Sequence, residues 1–352
     1  MSLQATGQDE GVEKMSVLVT GGTGYIGSHV VVELLEKGYD VIIADNFANS
    51  SARVINKIQK ITNREIKIYN VDLLNKADLK EVFLANDIQS VIHCAGYKSV
   101  GESVESPLIY YDNNLVATLN LCDVMSFFNV DNLIFSSSAV VYGEPETLPV
   151  TEESPLNPLN PYGDTKLMVE KMLKALTMSN PEWGVILLRY FNPVGAHPSG
   201  LIGEKANGIP NNLLPIIAKV ANKELPEITI YGDDYDTPDG TGVRDYIHVL
   251  DLAKGHVKAL ENLTQFNSGI KVFNLGTGMG HSVLEMIENF KAASGVEIPY
   301  RIAARRPGDM AVCYADTSKA AAELNWKAEK TVYDMCLDAW NWQQSMYSDL
   351  AK

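Results

Sequence analysis

Val17-Leu18-Val19-Thr20-Gly21-Gly22-Thr23-Gly24-Tyr25-Ile26-Gly27 reads as a short apolar strand running directly into a glycine-rich turn. Ile26, Val30 and Leu34 then recur at helical spacing, so the glycines fall at a strand-to-helix junction. At such a junction Gly21, Gly24 and Gly27 let the backbone approach a pyrophosphate, and the free N–H groups and dipole of the following helix favour negative charge. A second apolar run, Val41-Ile42-Ile43-Ala44, ends in Asp45, eighteen residues after Gly27. A carboxylate there is placed to accept both hydroxyls of an adenosine ribose and would repel a 2′-phosphate, which selects NAD over NADP. The same residues also suit a tight turn with a capping acid, and only the rest of the chain separates the two.

Further β-branched runs alternate with longer helical stretches: Ile66-Lys67-Ile68-Tyr69, Ser90-Val91-Ile92-His93, Asn132-Leu133-Ile134-Phe135 and Val185-Ile186-Leu187-Leu188. This alternation predicts right-handed βαβ units and an α/β fold, a Rossmann-type doubly wound parallel sheet with ligands at the carboxyl ends of its strands. The segments of chemical interest fall at those ends: Gly21 to Gly27, Asp45, Asp72-Leu73, Cys94-Ala95-Gly96, Ser136-Ser137-Ser138 and Tyr190-Phe191-Asn192. From about residue 193 the texture changes to Pro-, Gly- and Asn-rich loops, including Gly208 to Asn212 and Asp233 to Gly242, the composition of binding loops. Val272-Phe273-Asn274-Leu275 returns to the sheet. The expected organisation is a nucleotide-binding body over 15–192 with returns from about 245–280, and a smaller α/β substrate lobe over most of 193–352. Residues 1–14 read as a disordered extension or cloning remnant.

Tyr162 and Lys166 lie four residues apart on one helical face, and Ser138 closes the preceding strand. A lysine one turn from a tyrosine favours the ionised phenol, and a serine hydroxyl relays a proton, which together make a base for carbinol oxidation. On an ordinary helix the same spacing is only a ring beside a solvated amine.

Of the 352 residues, 46% are hydrophobic, enough for a large core, and the formal charge of −15 argues against nucleic acid or an anionic membrane as partner. No apolar run approaches a membrane span. Four scattered cysteines, Cys94, Cys122, Cys313 and Cys336, suit a reduced, cytoplasmic protein, and the six histidines show no metal-ligand spacing.

The glycine turn, Asp45, Ser138, Tyr162 and Lys166 together resemble the extended short-chain dehydrogenases/reductases. Leu188-Arg189-Tyr190-Phe191-Asn192-Pro193-Val194-Gly195-Ala196-His197-Pro198-Ser199-Gly200 and Gly242-Val243-Arg244-Asp245-Tyr246-Ile247-His248 narrow the resemblance to the UDP-galactose 4-epimerase family, over almost the whole chain. The resemblance implies a retained NAD lined by Gly21, Gly24, Tyr25, Ile26, Gly27, Asp45, Asn46, Asn49, Ser50, Asp72, Leu73, Cys94, Ala95, Gly96, Lys98, Asn113 and Phe191. It implies catalysis by Ser138, Tyr162 and Lys166, which also touch the cofactor. A UDP-sugar would meet Lys98, Ser138, Tyr162, Asn192, Asn212, Leu213, Tyr231, Arg244, Tyr246, Arg306, Asp309 and Cys313. The fork-shaped donors of Arg244 and Arg306 suit a diphosphate, although an Arg305-Arg306 pair is more often simply solvated.

Inverting one carbinol carbon without net redox change requires removing its hydride, turning the ketone over and returning the hydride. A phenol of reference pKa about 10 would have to fall to about 7, roughly 4 kcal/mol of preferential stabilisation of the phenolate. Related dehydratases and decarboxylases carry an acid just after the serine segment, where this chain has Ala139 and Val140; the epimerase pattern has threonine in place of Val140. At the position of Cys313 the family carries either a tyrosine or a small residue that admits an N-acetyl group. The resemblance further implies a homodimer through paired helices, with apolar stripes at Leu115, Leu119 and Cys122 and at Leu167, Val169, Met172 and Leu173 as candidates, and a place in galactose metabolism. A nucleotide-sensing binding protein and a dehydrogenase that releases its reduced cofactor are the competing readings.

Overall fold

In the computed structural model, which describes residues 15–205, 212–263, 268–306 and 309–350, the apolar run ahead of the glycines is strand β1, Ser16–Thr20. The expected extension over 1–14 and residues 208–211 of the expected binding loop lie outside the described residues. The remaining runs form β2 (Asp40–Asp45), β3 (Lys67–Asn70), β4 (Ser90–His93), β5 (Asn132–Ser136) and β6 (Gly184–Tyr190), and Gly269–Leu275 returns as a seventh strand. Across the sheet the order is Gly269–Leu275, β6, β5, β4, β1, β2, β3, with every neighbour parallel. The order reverses between β1 and β4, and in a doubly wound sheet that reversal opens the ligand crevice at the carboxyl ends.

Strand residues alternate between two cores because successive side chains leave opposite faces. Val17, Val19, Ile43, Ile92, Ile134 and Ile186 pack on one face with Val30 and Leu34 of α1 (Tyr25–Glu36). Leu18, Ile42, Val91, Leu133 and Val185 pack on the other. Between β2 and β4 run α2 (Arg53–Thr62) and α3 (Lys76–Leu84), the second of which supplies Leu79 and Val82 to that second core. Both faces are covered, so the strands read as continuous apolar runs.

After β4 come α4 (Val100–Glu105), α5 (Pro107–Tyr110), a π-helical turn over Tyr111–Val116, and α6 (Ala117–Phe127). α7 (Pro161–Ser179) follows β5. The two expected contact stripes are mostly core: Cys122, Leu167, Val169 and Leu173 are buried, and Leu119 is the member that faces outward. The exposed large apolar residues of these helices are Val100, Val104, Leu108, Ile109, Val116, Leu119, Phe127, Met168 and Met178. An outward stripe must avoid the rows that meet the sheet, and helical spacing alone does not say which row that is.

The later half adds α8 (Leu213–Ala221), α9 (Val249–Leu263) and three small sheets. α9 packs beside α1 on the central sheet through Leu252, Val257 and Leu260. Asn192–Val194 pairs with Tyr246–His248, Ile228–Tyr231 with Tyr300–Ala303, and Val243–Arg244 lies between His281–Ser282 and Val312–Cys313. Leu214, Ile217, Ile230, Met286, Phe290 and Met335 form a separate core beneath them. No helix of the described residues is long and apolar enough to cross a membrane.

Candidate active site

The glycine turn closes on itself, with the Gly24 N–H donating to the Gly21 carbonyl at 3.1 Å. Gly21 takes φ +68°, and a Cβ there would stand 2.8 Å from the Ala95 backbone, so the loops after β1 and β4 meet without room for a side chain. A Cβ on Gly27 would lie 2.1 Å from the Gly21 oxygen. No side chain caps α1 and its first turn carries no acid, so its N-terminal field is left for an anion. At the end of β2 the buried Asp45 carboxylate accepts the N–H groups of Thr23 at 3.0 Å and Phe47 at 2.8 Å and the Ser50 hydroxyl at 3.1 Å. A bare backbone cradle beside a fixed carboxylate fits NAD.

Around this cradle Leu73 and Phe191 are buried, while Asn46, Asn49 and Asp72 are exposed, with Asn46 donating to Asp72 at 3.0 Å. The Tyr25 hydroxyl donates to the Gly195 carbonyl at 2.8 Å and so ties the glycine turn to the later half of the chain. Asn113 donates to the Ile109 carbonyl on its own turn, whereas the buried Asn114 brackets Tyr97, accepting its N–H at 2.8 Å and donating to its carbonyl at 3.0 Å. Tyr110, Asn114 and Thr118 form a buried row, and Asn113 is half-buried beside it. A Cβ on Gly96 would meet Asn114 Oδ1 at 3.0 Å and Lys166 Nζ at 3.9 Å, so Asn114 backs the site directly.

Pro161 at the first helical position and Asn160, whose side chain accepts the Gly163 N–H at 2.9 Å, set the start of α7. Tyr162 and Lys166 therefore project from its first two turns, 7% and 5% exposed. Lys166 Nζ donates to the Ser136 carbonyl at 2.8 Å and lies 5.9 Å from the Tyr162 ring centre. Ser138 lies beside Tyr162, and its Oγ accepts the Val140 N–H at 3.3 Å. Burial pushes the Tyr162 phenol up to about 12 against the opposing effect of Ser138. Burial also brings Lys166 down to about 8, opposed by Cys94 and Glu170. Among the protein's own groups, burial is the largest influence on the phenol and favours its protonated form.

On the substrate side, Asn192 donates to the Asp245 carbonyl through both its backbone N–H and Nδ2, each at 3.0 Å. Arg244 donates to the carbonyls of Val243 at 2.9 Å and Met310 at 2.8 Å. Arg305 and Arg306 are both exposed. Arg305 bridges to Asp234 at 2.7 Å, and Arg306 stacks 3.8 Å from the centre of the Tyr231 ring. Leu213 opens α8, partly packed in the lobe core; Asp309 is exposed, its N–H donating to the Arg306 carbonyl at 3.2 Å. Cys313 packs with Phe191, Val141 and Leu167, and burial pushes its thiol up to about 11.

Tyr246 is 6% exposed in the lobe core with Ile230 and Met286. Arg244 and Tyr246 would share a face of one strand, but the chain breaks at Asp245 and the two residues enter different sheets. Lys98 is paired with Glu204 at 2.5 Å, and Asn212 donates to the same carboxylate oxygen at 3.0 Å. Glu204 was not anticipated, since its partners lie 106 and 8 residues away in the chain. Among the described residues no group of three or more His, Cys, Asp or Glu side chains could hold a metal ion.

Residues 17–276 match the NAD dependent epimerase/dehydratase family, and the chain belongs to that family. Within it the chain stands among the UDP-glucose 4-epimerases. It is 55% identical over 331 residues to the UDP-glucose 4-epimerase of Bacillus subtilis, covering 94% of this chain and 97% of that one. A solved UDP-glucose 4-epimerase from Bifidobacterium longum, in complex with NAD+ and UDP, matches with TM-score 0.90 at 55% identity, covering 94% and 98% of the two chains. The UDP-Glc/GlcNAc 4-epimerase of Campylobacter jejuni matches with TM-score 0.83 at 37% identity, covering 94% and 99%.

Proposed function

We propose that the enzyme interconverts UDP-glucose and UDP-galactose by transient oxidation of the sugar at C4, with NAD retained between turnovers. The observation that carries this is the buried Tyr162 and Lys166 with the half-buried Ser138 beside the glycine cradle, and no carboxylate where elimination chemistry would need one. Ala139 and Val140 begin a tight 3₁₀ turn, Ala139–Tyr142, and offer only apolar side chains there. NAD, held by the glycine turn and Asp45, would supply the acceptor and donor for the C4 hydride. Tyr162 takes the proton of the 4-hydroxyl and gives it back, Ser138 bridges phenol and sugar oxygen, and the Lys166 ammonium stabilises the phenolate. Arg244 and Arg306 suit the diphosphate, and holding that end lets the 4-keto ring turn over while tethered. Incubation of the purified protein with UDP-galactose, without added cofactor, should yield UDP-glucose; no product would overturn the proposal. Reduced nicotinamide released into solution would instead mark a dehydrogenase.

The cysteine at position 313 leaves a wide sugar pocket, and UDP-N-acetylglucosamine and UDP-N-acetylgalactosamine are substrates as well. Replacing an aromatic ring by a thiol opens space comparable to an acetamide. Cys313→Tyr should lose turnover of both N-acetylated sugars while keeping the hexoses; wild-type protein inert toward the N-acetylated pair would refute the idea.

Two copies pair through the exposed apolar residues of α4 to α6. Val104, Leu108 and Ile109 are 62%, 76% and 50% exposed, a concentration unusual for a solvated face. Sedimentation at micromolar concentration should give twice the mass of one chain, and a monomeric mass rules the pairing out. The four cysteines are free, which suits a reduced cytoplasmic setting and a role in galactose metabolism.

A further inference from the structure

The three consecutive serines that end β5 have three separate partners. Ser136 offers its carbonyl to Lys166, and its Oγ lies 2.8 Å from His256 Nε2. Ser138 stands beside Tyr162, where it counters the effect of burial on the phenol. Ser137, fully buried, donates to Glu170 Oε1 at 2.5 Å. Glu170 stands on α7 four residues beyond Lys166, as Lys166 stands four beyond Tyr162, so the three form one row. The Glu170 carboxylate is 3% exposed and takes a forked contact from Arg189 of β6, with Nε at 3.0 Å and Nη2 at 2.6 Å. Arg189 also donates to the Tyr142 hydroxyl at 3.1 Å and the Glu152 carbonyl at 3.0 Å, and Tyr142 donates to Asn274 at 2.6 Å. The network thus clamps both flanks of the serine turn to α7, β6 and the seventh strand.

We infer that Glu170 is a positioning residue for the catalytic pair: through Ser137 it seats the serine turn against α7, and its charge holds Lys166 in the ammonium form. From β4 and the loop after it, Lys166 faces His93 and Cys94; from β5 it faces the Ser136 carbonyl and the Phe135 ring; on its own helix it faces Tyr162 and Glu170. Arg189 lies beyond Glu170. Burial keeps His93 neutral, down at about 3, and raises Cys94 to about 11 and Tyr162 to about 12. None of these carries a negative charge near neutrality, which leaves Glu170 as the carboxylate acting on Lys166 among the described residues. Lys166 loses its proton as pH rises through about 8, and the Glu170 charge delays that loss. Without it, the ammonium disappears at lower pH and the alkaline limb of turnover moves down.

The inference rests on the epimerase reading, so the holoenzyme is assayed with UDP-galactose across pH 6 to 10. Wild-type protein that makes no UDP-glucose would fail that reading and leave the seating and charge of Lys166 to be read by resonance. Glu170→Gln should displace the alkaline limb downward by about one pH unit while KM in the acid range stays close to wild type. Glu170→Gln combined with Arg189→Met leaves no unpaired buried cation, and should show a smaller displacement in the same direction, because the lost Arg189 charge offsets part of the lost Glu170 charge. Ser137→Ala keeps the charge and removes the seat, so it should lower kcat with the limb unmoved. In protein labelled with ¹³C-lysine, the Lys166 ε-carbon midpoint, assigned with Lys166→Met, should fall in both Glu170 variants and not in Ser137→Ala. A wild-type limb and midpoint in both Glu170 variants would overturn the inference.

Discussion

Tyr162→Phe should lower turnover of UDP-galactose by about 10³-fold, the ordinary contribution of a positioned acid–base group. The substitution removes one oxygen and keeps the ring, which stays edge-on to Tyr110 with centroids 6.5 Å apart. It leaves the glycine cradle untouched, so NAD released on denaturation should equal that of the wild type. Ser138, beside the lost hydroxyl, still caps Val140, and the serine turn stays in place. Turnover within tenfold of wild type would assign the proton to another group. Retained turnover together with lost NAD would mean that the ring acts by packing alone.

Gly27→Ala should abolish NAD retention, with affinity weakened by at least about 100-fold, and destabilise the chain by about 1–3 kcal/mol through overpacking. The added methyl carbon would sit 2.1 Å from the Gly21 oxygen, 2.9 Å from the Gly21 carbonyl carbon and 3.0 Å from the Gly22 Cα. All three are backbone atoms, so relief requires opening the turn that the Gly24-to-Gly21 bond closes. Gly24→Ala is the comparison, because its Cβ meets only the Gly21 oxygen, at 3.2 Å, and a shift of a few tenths of an ångström suffices. Cofactor content after purification and the thermal midpoint separate the two variants. Equal NAD retention in both would show that the cradle tolerates displacement of its backbone.

The central sheet was legible because parallel strands buried on both faces are unbroken apolar runs, and each of the six read from residue 17 to residue 188 lies within one residue of its observed start or extends further at its end. Asp45, Ser138, Tyr162 and Lys166 were legible for a related reason: a strand end or a helical turn fixes where a side chain goes. Rotation about a helix and long-range pairing are not legible in the sequence. Asn113 and Asn114 are identical in chemistry and differ only in angle about a helix that passes through a π turn, which spacing does not reveal. The break between Arg244 and Tyr246 is set at Asp245, whose buried carboxylate accepts Thr277, Gly278 and Ala315 N–H groups from distant parts of the chain, so that one sheet ends and another starts. Glu170 and Arg189, nineteen residues apart, meet only once α7 has folded back on β6.

The return of Gly269–Leu275 to the sheet edge bears on how the chain is made. On a ribosome, β1 to β6 emerge first, and β6 then presents an unpaired edge of seven residues until residue 275 has been synthesised and the intervening lobe has folded. Parallel pairing across so long a connection is slow, and an open apolar edge is a site of misassembly. A chain released before residue 269 would hold nearly all of the dinucleotide cradle and lack the strand that seals it, so nascent chains of that length should depend on chaperones far more than the finished protein.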